Sequence, residues 1–311
     1  MITVVGSLNM DLVITAPTIP RPGETVLGTS FKQIPGGKGA NQADAAAKLK
    51  ADVTMIGAVG KDSMGEQLKR SLESDGVDVQ RVLEKDDYST GVAAIIVEEK
   101  GNNAIAVAPG ANYGLTPEDI ENMEECFKKT NVMIVQLETP LETVRKALKM
   151  AKDFGAITIL NPAPARELDE EILSLTDILT PNETELEILS GLPTDNLDDI
   201  QIAAEKLMEK GVKEMIVTLG GQGCMHITKE NISVMPAYKV KVVDTTAAGD
   251  SFNGAIGVAL DEGKTMEEAL KFAMKVGAMT VSKAGAQTSL PYLNEVENFD
   301  QWYEKMSILE D

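Results

Sequence analysis

After residue 114 the chain alternates short, unbroken β-branched runs with helix-period segments, and this alternation constrains its fold more than any single motif. Met133, Ile134 and Val135 lead into a segment that keeps Leu141, Val144, Leu148 and Ala151 on one face. Ile157, Thr158, Ile159 and Leu160 follow, then Ile178, Leu179 and Thr180, then a second helical face of Ile200, Ala203, Ala204, Leu207 and Met208. Met215, Ile216, Val217, Thr218 and Leu219 make another apolar run. The runs are continuous instead of alternating with polar residues, as strands covered on both faces require. Strand, helix and strand in this order form a parallel sheet with right-handed crossovers. The expected fold is α/β, a doubly wound and mostly parallel sheet flanked by helices.

Two stretches break the rhythm. Residues 10–34 hold two extended runs, Leu12-Val13-Ile14 and 25–34, joined by the turn-rich Pro20-Arg21-Pro22-Gly23. Residues 91–108 read as a hairpin, with runs 92–97 and 104–107 around a Lys100-Gly101-Asn102-Asn103 turn. Between them, Val53-Thr54-Met55-Ile56-Gly57 returns to the main sheet, followed by a helix. Ser63 and Glu66 have capping-box spacing for that helix, and Gly76 ends it. Strands arriving as two insertions suggest a small separate sheet laid over one edge of the large one. The expected division is a single unit with a core of about 1–8, 38–85 and 114–311 and a β lid of about 9–37 and 86–113.

Composition narrows the chemistry. The 311 residues carry 29 Lys and Arg against 49 Asp and Glu, a formal charge of −20, which disfavours nucleic acid and anionic membranes as partners. The single histidine, His226, and the two cysteines, Cys126 and Cys224, leave no zinc cage and little room for a Ser-His-Asp triad. The first residues run straight into Ile2-Thr3-Val4-Val5, and no apolar run reaches the ~18 residues of a membrane span, so a cytoplasmic location is expected. Catalysis would then rest on carboxylates, backbone amides or a bound ion. Two apparent nucleotide motifs fail. Gly263-Lys264-Thr265 has Val258 where a P-loop needs its first glycine, and Gly37-Lys38-Gly39-Ala40-Asn41-Gln42 has Gln in place of the third fingerprint glycine.

Three constellations remain. In Asp244-Thr245-Thr246-Ala247-Ala248-Gly249-Asp250, small residues precede a helix that begins near Gly249 and runs through Leu260, after an extended segment over 239–243. Small residues there let backbone amides reach a ligand, and the helix dipole favours an anion. Asp250 in the first turn can take a proton from an attacking alcohol, although Asp244 or Asp250 acting as a plain helix cap fits the same spacing. The second constellation, Gly36-Gly37-Lys38-Gly39-Ala40-Asn41-Gln42, permits close backbone approach and adds Lys38 and Asn41 as polar arms; a tight turn is the simpler account. The third, Ser7-Leu8-Asn9-Met10-Asp11, points Asn9 and Asp11 to one side, suited to neighbouring hydroxyls, or is an ordinary strand end. Glu138, the Asn182-Glu183-Thr184-Glu185 segment and Gly220-Gly221-Gln222-Gly223 each follow a separate predicted strand. Ligands of doubly wound sheets bind beyond the carboxyl ends of strands, so these groups converge on one cleft.

With these residues assembled, the sequence resembles the ribokinase family of sugar kinases over essentially its whole length. The resemblance is carried by Asn9-Met10-Asp11, Gly36-Gly37-Lys38-Gly39-Ala40-Asn41, Asn161-Pro162-Ala163-Pro164-Ala165, Pro181-Asn182-Glu183 and the 244–250 stretch. It implies ATP-dependent phosphorylation of D-ribose at its 5-hydroxyl. Asp250 would be the general base and the amides of Ala247, Ala248 and Gly249 the anion hole, each such donor contributing ~3 kcal/mol to the transition state. By the same resemblance Asn9, Met10, Asp11, Gly37, Lys38, Gly39, Ala40, Asn41 and Glu138 line the sugar site. Asn182, Thr218, Leu219, Gly220, Gly221, Gln222, Gly223, Gly249, Asp250 and Met274 meet ATP. Asn182 and Glu185 hold hydrated magnesium (Mg2+). Asp244, Thr246, Thr280, Lys283, Gly285 and Ser289 surround an activating monovalent cation (K+), mostly through carbonyls. The resemblance also implies a homodimer paired through the lid. A kinase of deoxyribose, another sugar or a nucleoside, and a binding protein without catalysis, are the alternatives.

Overall fold

The computed structural model describes residues 1–98 and 101–307. Its strands, in chain order, are β1 (Ile2–Val5), β2 (Asn9–Ala16), β3 (Ser30–Gly36), β4 (Val53–Gly60), β5 (Asp78–Lys85), β6 (Gly91–Glu98) and β7 (Asn103–Ala108). They continue as β8 (Val132–Val135), β9 (Ile157–Leu160), β10 (Ile178–Leu179), β11 (Glu214–Thr218), β12 (Cys224–Ile227) and β13 (Ile232–Met235). Nine form one sheet in the order β13-β12-β11-β10-β9-β8-β1-β4-β5. From β11 to β5 every neighbour pair is parallel, and only the β11-β12-β13 edge is antiparallel. The expected doubly wound α/β architecture is present.

The strand pattern explains the two-sided burial. Val132 and Ile134 of β8 face one hydrophobic cluster while Met133 and Val135 face another, and Ile159 and Leu160 of β9 divide the same way. The first cluster takes in the helices Lys38–Lys48, Ala248–Asp261 and Met266–Val281; the second takes in Leu141–Asp153 and Leu197–Met208. Successive side chains on a strand point to opposite faces, so an unbroken apolar run needs helices on both.

The remaining four strands form a separate sheet, β3-β2-β6-β7. The two insertions meet through a parallel ladder from Asn9–Gly91 to Ala16–Glu98. Lys100, in the predicted hairpin turn, lies outside the described residues. Three local expectations change. The run over 25–34 becomes a strand only from Ser30, because the β2-β3 ladder begins at the Thr15–Ser30 pair, just beyond the Thr29 amide's bond to the Thr15 carbonyl at 2.7 Å. The 239–243 segment joins no ladder; instead Val243 N–H donates to the Val281 carbonyl at 2.8 Å, pinning it to the end of a helix. The helix Ser63–Ser74 is capped by Asp62, not Ser63: its carboxylate accepts from the Gly65 amide at 2.9 Å and also from the Thr90 amide and hydroxyl, bonds that a hydroxyl could not all replace. Gly76 does follow that helix, at φ 97°. Among the described residues no helix is long and apolar enough to cross a membrane.

Candidate active site

Two helix N-termini meet beyond the carboxyl ends of the parallel strands. The helix Lys38–Lys48 begins after Gly37, whose φ of 93° favours glycine. The helix Ala248–Asp261 begins after Ala247, which takes the left-handed region at φ 60° without being glycine. Such a residue costs of order 1 kcal/mol or more and persists where the surroundings impose it, a frequent trait of ligand-binding turns. The two helices touch at Gly254, where an added Cβ would stand 2.8 Å from Ala45 Cβ and 2.9 Å from the Gln42 carbonyl oxygen. That approach lets residues near the start of one helix reach the start of the other.

Asp250 is the meeting point. It is 7% exposed; its Oδ2 accepts from Asn41 Nδ2 at 2.9 Å and its Oδ1 from Gln42 Nε2 at 3.0 Å. A helix cap needs no such cradle, so the plainer reading of Asp250 does not account for its partners. Of the three small-residue amides, that of Ala248 donates back to the Thr245 carbonyl at 3.2 Å, while an added Cβ at Gly249 would meet nothing within 4 Å. The first turn therefore opens at Gly249 onto free space, where the helix terminus favours an anion.

On the sugar side, Asn9 and Asp11 share one face of β2, while Met10 is fully buried in the hydrophobic core. Asn9 Oδ1 accepts from Asn112 Nδ2 at 2.8 Å, which turns the Asn9 amide donors away from that partner. Glu138 is fixed by the Ser7 hydroxyl and by the Lys38 amide at 3.2 Å, and Gly39 donates to Ser7 Oγ at 3.3 Å. Gly39 packs so closely on Gly6 and Ser7 that a Cβ would lie 2.6 Å from the Ser7 nitrogen; Ala40 is buried beside it. Burial and then the charge of Glu138 push the Asp11 carboxyl up to about 6. Burial disfavours the Lys38 charge, but the carboxylates of Asp250, Glu138 and Glu185 outweigh it and raise Lys38 above its usual range. Lys38 thus stands as the cation among three carboxylates.

On the opposite side, Asn182 pairs with Thr218 in an isolated parallel bridge, with the Thr218 amide 3.0 Å from the Pro181 carbonyl. Asn182 caps the helix Glu183–Ser190 in a capping box with Glu185. Burial raises the Glu185 carboxyl, against the Asn182 amide and Lys38. Leu219 receives the turn: its amide donates to the Gly223 carbonyl at 2.8 Å around the short Gly220–Gln222 helix. Met274 is buried in the hydrophobic core within the helix Met266–Val281.

Asp244 joins two loops. Its carboxylate accepts from the Thr246 amide at 2.9 Å and hydroxyl at 2.6 Å, and from the Gly285 amide at 2.9 Å. Burial works against its charge, yet these bonds hold its carboxyl below the usual range. Ser289 is buried with its hydroxyl on the Ala286 carbonyl, and Thr280 bonds the Val276 carbonyl. Lys283 pairs through its side chain with Glu295 at 2.8 Å, leaving only its backbone for an ion. Asp244 thereby ties the loop before the helix Ala248–Asp261 to the loop at Gly285. Among the described residues no cluster of three or more His, Cys, Asp or Glu could hold a metal ion. His226 bonds Glu214 at 3.0 Å on β12 and lies outside this cluster.

Several residues at the site carried no assigned role in the sequence reading: Ser7, Gln42, Asn112, Gln136 and Asn161. Ser7, Gln42 and Asn161 lie inside motifs singled out above, but no local signal distinguished their side chains.

The model of the pfkB family of carbohydrate kinases matches residues 1–293. Ribokinase of Haemophilus influenzae is 40% identical over 298 residues, covering 96% of this chain and 97% of that protein. Deoxyribokinase of Salmonella typhi is 41% identical over 302 residues, covering 97% and 98%. The structure of Arabidopsis thaliana ribokinase complexed with ribose and ATP aligns with a TM-score of 0.92 at 33% identity, covering 96% of this chain and 97% of that one. With a family match over residues 1–293 and a relative 40% identical across 96% of its length, the chain belongs to the pfkB family of carbohydrate kinases.

Proposed function

We propose that the chain transfers the γ-phosphoryl group of ATP to the 5-hydroxyl of D-ribose. The observation that carries this reading is the Asp250 carboxylate, buried in the first turn of a helix that opens onto space at Gly249 and held there by Asn41 from the sugar-side helix. A base in that place lies between the sugar residues and the anion site. The sugar rests on Asn9, Asp11, Lys38, Asn41 and Glu138, with the backbone of Gly37, Gly39 and Ala40 behind it. Asp250 accepts the proton of the hydroxyl as its oxygen bonds to phosphorus; the bond from phosphorus to the bridging oxygen breaks, and ADP departs with that electron pair. Amides at the start of the helix Ala248–Asp261 take the charge on the transferring oxygens, and Lys38 adds a cation nearby. Asn182, Thr218, Gln222 and the adjoining glycines seat the nucleotide, with Met274 behind it.

Magnesium near Asn182 and Glu185 would neutralise phosphate charge, and potassium at the Asp244, Thr246, Thr280, Lys283, Gly285 and Ser289 loops would support the helix terminus. The lid also fits pairing with a second copy: Ile105 and Val107 on β7 are 58% and 53% exposed, and register places Val107 across Ala93 from Asp11.

A second reading, phosphorylation of 2-deoxyribose, is favoured by the 41% identity to a deoxyribokinase. The test is ATP consumption with ribose, 2-deoxyribose, fructose and adenosine in parallel, with Asp250→Asn alongside. Ribose is expected to give the highest kcat/KM, and the Asn variant to keep sugar binding while losing several orders of magnitude in turnover. Preference for another acceptor overturns the substrate, and near-normal turnover in the variant overturns the base.

A further inference from the structure

Behind Asp250 the buried amides form a directed chain. The Thr180 carbonyl can only accept, and Asn161 Nδ2 donates to it at 3.2 Å, so Asn161 Oδ1 faces the other way. Gln42 Nε2 donates to that oxygen at 3.1 Å and to Asp250 Oδ1 at 3.0 Å. Its own Oε1 accepts from Gln136 Nε2 at 2.6 Å. Both hydrogens and the oxygen of one amide are thereby committed. Gln42 is 0% exposed, Gln136 1% and Asn161 7%, so Gln42 does not face the substrate space.

We propose that Gln42 is a positioning residue for the Asp250 carboxylate, set in its working orientation by Asn161 and Gln136. The inference rests on Asp250 being the general base. The opposite amide orientation would bring Gln42 Oε1 against both the carboxylate and Asn161 Oδ1, losing the bonds to both. With Asn41 on Oδ2 and Gln42 on Oδ1, the carboxylate plane is fixed by two donors from consecutive residues of one helix. The charged groups beside it are Lys38 and Glu185. Removing one neutral donor disfavours the ionised form without altering those charges.

The test uses the full-length enzyme as Gln42→Leu and Gln136→Met, with pH profiles of kcat/KM, sugar KM and thermal melts. For Gln42→Leu, kcat is expected to fall about 10- to 100-fold, as loss of a bond to a charged group predicts. The sugar KM should stay within about threefold, which separates a turnover effect from uniform binding. The acid limb of kcat/KM should move to higher pH by about one unit. Gln136→Met should shift the limb the same way with a smaller loss, about two- to tenfold, because Gln42 remains but its orientation is no longer fixed. If Gln42→Leu does not fold, Gln136→Met carries the test alone. A folded variant with the parental pH profile, or a loss confined to KM, overturns the proposal. Asp250→Asn separates the two ideas: turnover surviving in it removes the base and the positioning role together. An inactive Asp250→Asn beside Gln variants with parental profiles removes only the positioning role.

Discussion

Replacing Asp11 by Asn should make the sugar-free protein more stable while weakening sugar binding. Burial and the nearby Glu138 charge raise the Asp11 carboxyl from 3.8 to about 6. At about 1.36 kcal/mol per pH unit, that gap corresponds to ~3 kcal/mol by which the folded state disfavours the ionised form at neutral pH. Asp11 is only partly buried, so solvent screening reduces the expected gain for Asn to about 1–2 kcal/mol. For a chain of this size that is a rise of roughly 2–6 °C in melting temperature. The sign follows from linkage: a carboxyl raised by folding leaves stability intact below 3.8, and the stability is lost as pH rises through about 6. The parent and variant melts should therefore converge near pH 4 and separate by pH 7.5. Sugar affinity runs the other way. In the parent it should strengthen between pH 5 and 7 as Asp11 ionises, and in the variant it should be flat and about 10- to 100-fold weaker, the loss of a charge-assisted bond. Scanning calorimetry without sugar, paired with sugar titrations across that range, reads both. A variant that melts at or below the parent at pH 7.5, or a gap that persists unchanged at pH 4, refutes the reasoning.

Gly254→Val should separate the two site helices, since the new Cβ would stand 2.8 Å from Ala45 Cβ; the expected destabilisation is about 1–3 kcal/mol, with a larger proportional loss of turnover than of melting temperature. Turnover in K+ should exceed that in Na+, and Asp244→Ala should abolish the difference; equal rates in K+-free buffer would remove the cation site. Ile105→Lys with Val107→Lys on the exposed lid face should convert a dimer to a monomer by light scattering, whereas an unchanged mass in both proteins would exclude pairing through that face.

The central sheet was legible because continuous apolar runs such as Met133-Ile134-Val135 have few other uses in a chain with interleaved helices. Its edges were harder to see. β5 carries the exposed-and-buried alternation of Asp78 to Lys85 and β13 is mostly exposed, so neither presents the continuous run of a covered strand. Asp250 and the glycine tract at Gly37 were visible as local turns before helices, although a helix cap and a tight turn fitted the same residues, and only the joint placement of several such groups after separate strands favoured a site. Gln42, Gln136 and Asn161 were not, since nothing local to an amide, whether in an alanine-rich helix as Gln42 is or just after a strand as Gln136 and Asn161 are, reveals which distant residue it meets. The Ser63 cap failed for a related reason: the advantage of Asp62 comes from Thr90, which only the tertiary fold brings near.

The β2-β6 ladder has a consequence for biogenesis. Asn9 pairs with Gly91, and in the large sheet Ile2 pairs with both Val53 and Val132. β1 and β2 are thus interior strands of the two sheets and wait for partners made later. Closing such long loops is entropically slow, and unpaired strand edges are adhesive in the interval. The β2-β3 hairpin can form early by itself, but a two-stranded ribbon is marginal in water. Synthesis in chain order therefore supplies all four lid strands by Ala108, while β8 to β13 of the large sheet are still to come, and a nascent chain stalled before β6 leaves β2 with one open edge.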